Sequence, residues 1–239
     1  MDPRLGVIAK RLAGIGRIVA VTGGKGGIGK SVLASTLALT LSEQGRPAGL
    51  LDLDLTGPCA HLILGLERRE PDEDFGVRPP SIGGVPVMSV AQFAGSLPAP
   101  LRGGDVTNAL IEMLAITRWD ELEFLVVDMP PGLGDAALDV VRLLPRAEYL
   151  VVATESRVVM ETVTRTVRLL ARLEATILGW VANMHRGDST AIERLAADSG
   201  IPFLGSVPFD PGLEAALGDV EQLSRSAVAQ ALRRIGRSL

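Results

Sequence analysis

The stretch Val19–Ser31 reads VAVTGGKGGIGKS. An apolar run over residues 17–22 (RIVAVT) precedes it and predicts a buried strand. A helical pattern follows over residues 31–44, with Leu33, Leu37 and Leu41 on one face. Between strand and helix stands G-x-x-x-x-G-K-S, with Gly24, Gly29, Lys30 and Ser31 at the fixed positions. Glycines there let the backbone curl with its N–H groups pointing inward, where a Cβ would collide with phosphate. The helix that begins near Lys30 turns its positive dipole end toward the same anion. The motif therefore assigns phosphate binding to Gly24, Lys25, Gly26, Gly27, Ile28, Gly29, Lys30, Ser31 and Val32. Within it, Lys30 contacts the β- and γ-phosphates and the Ser31 hydroxyl ligates Mg²⁺.

Further apolar runs cover residues 48–53, 85–90, 123–128, 149–153, 177–182 and 202–207. Most are continuously apolar, the pattern of strands covered on both faces. Helical patterns lie between them, at 106–116, 136–144, 160–173 and 190–198, with a last helix at 224–237. This alternation predicts a doubly wound, mainly parallel α/β sheet with helices on both faces. One domain spans 1–239, with 1–16 as an N-terminal extension and 224–239 as a C-terminal helix. Residues 67–84 and 95–104, rich in Pro, Gly and charge, read as surface loops.

Composition narrows the function classes. The chain has 239 residues, a net charge of -4, 47% hydrophobic and 22% charged residues, which fits a globular domain rather than a disordered chain. No bulk basic field attracts nucleic acid, so none is expected as partner. No apolar run reaches the length of a membrane span or a signal-peptide core, so a cytoplasmic location is expected. Only three of the 24 basic residues are lysines, Lys10, Lys25 and Lys30, and two of those lie in the glycine-rich loop. Arg and Lys are not interchangeable there, because a phosphate loop needs an ammonium on a flexible stem.

Two acidic sites emerge at strand ends, where an open α/β sheet places its ligand crevice. One is Asp52 and Asp54 in LLDLDLTGP (50–58); the other is Asp128 in FLVVDMPPGLGD (124–135). Apolar residues ending in Asp128 make a Walker-B pattern, an acid that holds Mg²⁺ through water. Gly132 and Gly134 behind Pro130–Pro131 supply a loop able to move with the γ-phosphate.

With Lys25, the segment GKGGIGKS resembles the deviant Walker A loop of the MinD/ParA/Mrp/nitrogenase-iron-protein class of P-loop NTPases. That resemblance implies ATP and Mg²⁺ as ligands and a nucleotide-sandwich dimer in which Lys25 reaches the partner's phosphates. It implies that Asp54 positions or activates the attacking water and that Asp52 is an outer-shell partner of Mg²⁺. The catalytic set is then Lys25, Lys30 and Asp54, and the metal set Ser31, Asp52 and Asp128. Within the class the chain is most similar to the Mrp-type (iron–sulfur carrier) ATPases. The similarity rests on Asp52, Asp54, Gly57 and Pro58, on Val87–Ser89, on 101–103, and on Trp119–Asp135. Asn183 resembles the residue that reads the adenine edge, and Pro208–Phe209–Asp210–Pro211 resembles the loop that covers the base.

Departures from that family limit what is carried over. Mrp-type proteins usually hold a C-x-x-C pair after the Asn–Met sequence, for a cluster bridging two subunits. Here HRGDSTAIERL follows Met184, and the chain has one cysteine, Cys59, at a position where the family generally has Ser. His185, near Asp188, and His61 read as structural histidines. Val32 replaces a common hydroxyl residue and removes one side-chain bond to the α-phosphate. The resemblance thus implies a MgATP-hydrolysing homodimer that loads or releases a partner or cargo, in iron–sulfur protein maturation but without cluster cysteines of its own. Two alternatives stand beside it. One is a MinD/ParA-like positioning switch on membrane or nucleoid, for which the amphipathic face Val228, Leu232, Ile235 and Leu239 is the candidate. The other is a heterodimer with a cysteine-bearing homologue. Packing of the last helix on the sheet is the expected use of that face, so membrane binding is not expected.

Overall fold

The computed structural model describes residues 2–66, 72–73, 75–92, 104–132, 134–187 and 189–239. Its strands are β1 (Ile15–Thr22), β2 (Ala48–Asp52), β3 (Asp72–Glu73), β4 (Val77–Arg78), β5 (Ser81–Ile82), β6 (Val85–Ser89), β7 (Leu122–Asp128), β8 (Ala147–Ala153), β9 (Thr176–His185) and β10 (Phe203–Pro208). Its helices are α1 (Arg4–Arg11), α2 (Lys30–Glu43), α3 (Ala60–Leu64), α4 (Gly104–Ile116), α5 (Asp135–Leu143), α6 (Arg157–Arg172), α7 (Thr190–Ser199), α8 (Leu213–Ala216), α9 (Val220–Arg225) and α10 (Ala227–Gly236). The match to family residues at 101–103, most of the second expected loop, and Asp188 lie outside the described residues.

Eight strands form one sheet in the order β10-β9-β8-β1-β7-β2-β6-β5. Its pairs are parallel except the hairpin of β5 with β6. Strand side chains alternate between two cores. Val19, Val21, Phe124 and Val126 face one; Ile18, Ala20, Leu125 and Val127 face the other. Burial on both faces is why these strands read as unbroken apolar runs. From β1 the chain passes over β7 to reach β2, and from β7 it passes over β1 to reach β8. The switch point between β1 and β7 puts the loops after β1, β2 and β7 around one crevice at the carboxyl edge.

Three sequence readings change. Residues 1–16 are no mere extension: α1 packs on α4, and Ile8, Leu12 and Ile15 are buried in the second core. Its apolar residues Leu5, Ile8 and Leu12 follow helical spacing, so the signal was present but short. The last helix is two. The chain turns extended at Ser226 (φ -63°, ψ 158°), whose hydroxyl caps α10 by accepting from the Ala229 N–H. The span 67–84 contains the β3–β4 pair and β5 rather than loop alone. As expected of the final helix, Val228, Leu232 and Ile235 are buried against α2 and β10. The face a membrane-lying helix needs is therefore occupied inside the fold. No helix among the described residues is long and apolar enough to cross a membrane.

Candidate functional site

The phosphate loop, residues 23–29, joins β1 to α2, and its shape is fixed by two glycines. A Cβ on Gly24 would sit 2.4 Å from the backbone of Thr162 and Val163 in α6, so only glycine lets the loop press against that helix. Gly29 caps α2 in the left-handed region (φ 84°), which disfavours any side chain there. Asn183, at the end of β9, donates its amide to the Ile28 carbonyl at 2.7 Å and ties the loop to the sheet. Around Gly26 and Gly27 a Cβ would meet nothing within 4 Å, so the cradle itself is open. Lys30 is buried, and its Nζ donates to the Lys25 carbonyl at 3.4 Å. Lys25 is exposed on the outer side of the loop. The two lysines thus point to different tasks.

Asp52 and Asp128 are paired in register at the ends of adjacent strands. Their environments differ. Asp52 is saturated: its oxygens accept from the N–H groups of Asp54, Cys59 and Ala60 and from the Ser89 hydroxyl, at 3.1–3.2 Å. Besides any outer-shell role, it anchors the turn after β2 to the start of α3. Burial raises its pKa to about 6, against the lowering pull of those bonds. Asp128 is equally buried, yet neither of its oxygens has a hydrogen-bond partner. Burial first, and then the neighbouring Asp52 charge, raise its pKa to about 7, while Ser31 and Lys30 pull it down. A buried, unpartnered carboxylate is costly without a cation. Together with the Ser31 hydroxyl it suits Mg²⁺, which takes one or two carboxylates plus phosphate and water oxygens.

Asp54 is half-buried and bends its own turn: Oδ1 accepts from the Thr56 N–H and hydroxyl and from the Gly57 N–H. Cys59, two residues beyond Gly57, faces the Ser31 hydroxyl, and burial raises its thiol pKa, as do Asp52, Asp128 and Asp54.

A groove beside the loop is lined by Val32, Leu33, Asn183, Met184, Phe209 and Val228. It is mainly apolar, the character an adenine ring needs. Pro208 and Phe209 are also among its lining residues. Asp210 lines the groove too, and its carboxylate accepts from the N–H groups of Gly212 and Ala227, both at 2.9 Å, which fastens the rim to α10. Sequence reasoning missed Arg186, whose guanidinium stacks 3.8 Å over the Phe209 ring. It also missed Met184, held at φ 56° and half out in solvent beside Asn183. No motif marks Arg186, and Met184 entered the sequence reading only as the second residue of the Asn–Met pair. Among the described residues no three His, Cys, Asp or Glu side chains stand together as a metal cluster.

A phosphate cradle, a cation-seeking aspartate and an apolar groove thus meet at the sheet's carboxyl edge. The model of the ParA group described as NUBPL iron-transfer P-loop NTPase matches residues 14–239. The chain belongs to that family. It is 34% identical over 260 residues to the cytosolic Fe-S cluster assembly factor NUBP2 of Gallus gallus, covering 98% of this chain and 96% of that one. It is 35% identical over 218 residues to an iron-sulfur cluster carrier protein of Mycobacterium bovis. There the match covers 84% of this chain but 57% of the relative, so the chain spans little more than half of that protein's length. A nucleotide-binding protein of Archaeoglobus fulgidus, solved in complex with ADP, superposes with a TM-score of 0.76 at 30% identity, over 92% of this chain and 93% of that one. The expected family and fold are both borne out.

Proposed function

We propose that this NUBPL-family NTPase binds MgATP at the β1–β7 crevice and hydrolyses it as a nucleotide-sandwich dimer. The observation that carries the reading is Asp128, buried and without a hydrogen-bond partner, set against Ser31 and Lys30. Bound Mg²⁺ would neutralise developing phosphate charge; every other task falls to the chain. The backbone N–H groups of the loop cradle the phosphates, and Lys30 moves from the Lys25 carbonyl onto the β- and γ-oxygens. Asn183 keeps the loop's curvature, and the Phe209–Arg186 pair covers the base. Asp54, poised on the turn after β2, orients the attacking water. Lys25, exposed beyond the cradle, reaches the partner's phosphates as an arginine finger does.

A cargo in iron–sulfur protein assembly and a cytoplasmic location are supported by the relatives, an iron-sulfur cluster carrier protein and a cytosolic Fe-S cluster assembly factor. One cysteine per chain gives a homodimer two thiols at most, so cluster ligands come from a client or from a second subunit. That count favours, as a second reading, a heterodimer with a cysteine-bearing homologue. Replacing both Lys25 and Lys30 by Ala should abolish ATP turnover in purified protein. Turnover equal to the wild type would overturn the assignment.

A further inference from the structure

Resting on that nucleotide reading, we propose that the contact of Gly65 with Gly218 couples the two ends of the site, so that filling the base groove readies the turn that carries Asp54. Each end is tied to this contact by a short, hydrogen-bonded stretch of chain. At the phosphate end, Asp52 holds both sides of the turn after β2. Its Oδ1 accepts from the Asp54 N–H at 3.1 Å, and its Oδ2 from the Cys59 and Ala60 N–H groups at 3.1 and 3.2 Å. Cys59 caps α3 and Ala60 begins it, so the turn and the helix move as one piece. With five residues, α3 is only about 7.5 Å long, and Ala60, Ile63 and Leu64 are buried. Its far end is Gly65, left-handed at φ 71°.

There the helix meets a second segment. The Gly218 N–H donates to the Ile63 carbonyl at 3.0 Å, and a Cβ on Gly65 would overlap the Gly218 carbonyl. The two backbones touch, with no side chain between them to absorb a shift. Gly218 (φ 85°) closes the segment that starts at the base groove, which Asp210 and Leu213 line. The Leu213 N–H donates to the Asp210 carbonyl at 3.2 Å, α8 runs on to Ala216, and the Asp219 N–H returns to the Ala216 carbonyl at 3.3 Å. A base that presses on Leu213 therefore displaces Gly218, and Gly218 displaces α3, because close-packed backbone transmits strain. The consequence is selectivity: a triphosphate without a base leaves the Asp54 turn unready. Asn183 offers a separate route, since it lines the groove and bonds the Ile28 carbonyl, but that route ends at the phosphate loop.

The test supplies the nucleotide to the full chain in two pieces. Adenosine reaches the groove alone, and inorganic tripolyphosphate with Mg²⁺ reaches the cradle alone. Each piece should tighten binding of the other by the same factor, about 5- to 150-fold. In hydrogen–deuterium exchange, each piece alone should slow exchange in both 59–65 and 213–219. Gly65→Ala forces α3 away from Gly218 and should bring the factor close to one while each piece still binds. If that variant does not fold, the wild-type exchange pattern decides. Tripolyphosphate that protects 59–65 but leaves 213–219 unchanged overturns the proposal. So does an unchanged factor in Gly65→Ala, which would assign the coupling to Asn183, and so does protection of neither segment by either piece. In each of these cases, wild-type protein that still binds MgADP leaves the nucleotide reading standing. Failure to bind MgADP overturns that reading and this proposal with it.

Discussion

Replacing Asp128 by Asn should stabilise the ligand-free protein and remove the stabilisation that MgADP confers. The Asp128 pKa rises from 3.8 to about 7 on folding. Between those values the native state holds a proton that the unfolded chain has lost. Stability therefore falls as pH rises through that window and is level above it. At about pH 8 the full shift of about 3 units costs the native state roughly 4 kcal/mol, shared with the neighbouring Asp52. An uncharged Asn avoids that cost but leaves a buried amide short of partners, worth about 2 kcal/mol against it. The net gain of about 2 kcal/mol corresponds to a rise in Tm of about 4–8 °C for a chain of this size. At about pH 5 only about one unit of the shift acts, roughly 1–2 kcal/mol, and the gain should vanish. Thermal melts in EDTA at both pH values measure this directly. Added MgADP at a hundredfold excess over Kd should then stabilise the wild type by about 3 kcal/mol and the variant much less. A variant less stable than the wild type in EDTA at about pH 8 would refute the reasoning, because Asp128 would then be compensated within the protein.

Other perturbations separate architecture from binding. Gly24→Ala forces a Cβ to within 2.4 Å of the α6 backbone and should lower Tm, whereas Gly26→Ala meets no protein atom within 4 Å and should leave Tm unchanged while weakening nucleotide binding. Asn183→Ala frees the Ile28 carbonyl and should weaken ADP binding about tenfold, or about 1.4 kcal/mol, in a fluorescence titration. Arg46 joins Glu123 to the Gly236 carbonyl and stacks 4.3 Å over the Phe124 ring. Arg46→Ala should cost about 2 kcal/mol in denaturant melts without changing ADP affinity.

Legibility in the sequence followed the strength of the local constraint. The strand–loop–helix of residues 15–43 was readable because a phosphate cradle restricts both spacing and residue type. The parallel strands were readable because burial on both faces removes polar residues. Helix α1 was harder: three apolar residues over eight positions resemble an extended tail until α4 is placed beneath them. The break at Ser226 was hidden because the apolar spacing runs on through it, while the cap depends on one backbone torsion. In the site, the carboxylates were visible, but not that Asp52 is saturated and Asp128 open. That difference comes from which N–H groups the turn after β2 directs inward. Arg186 over Phe209 joins residues 23 positions apart with no sequence pattern between them, so only the fold brings them together.

In the proposed dimer, two lysines in one loop would serve two active sites, Lys30 its own and Lys25 the partner's. ATP turnover per chain, measured against chain concentration with ATP affinity followed in parallel, tests it most directly. Wild-type turnover per chain should rise with concentration as dimers form. Lys30→Ala should lose binding and turnover together. Lys25→Ala should still bind ATP but turn over about 10³-fold more slowly, the effect expected of a charge supplied in trans. Lys25→Ala protein with wild-type turnover, or turnover independent of concentration down to the dilute monomer, would contradict the account.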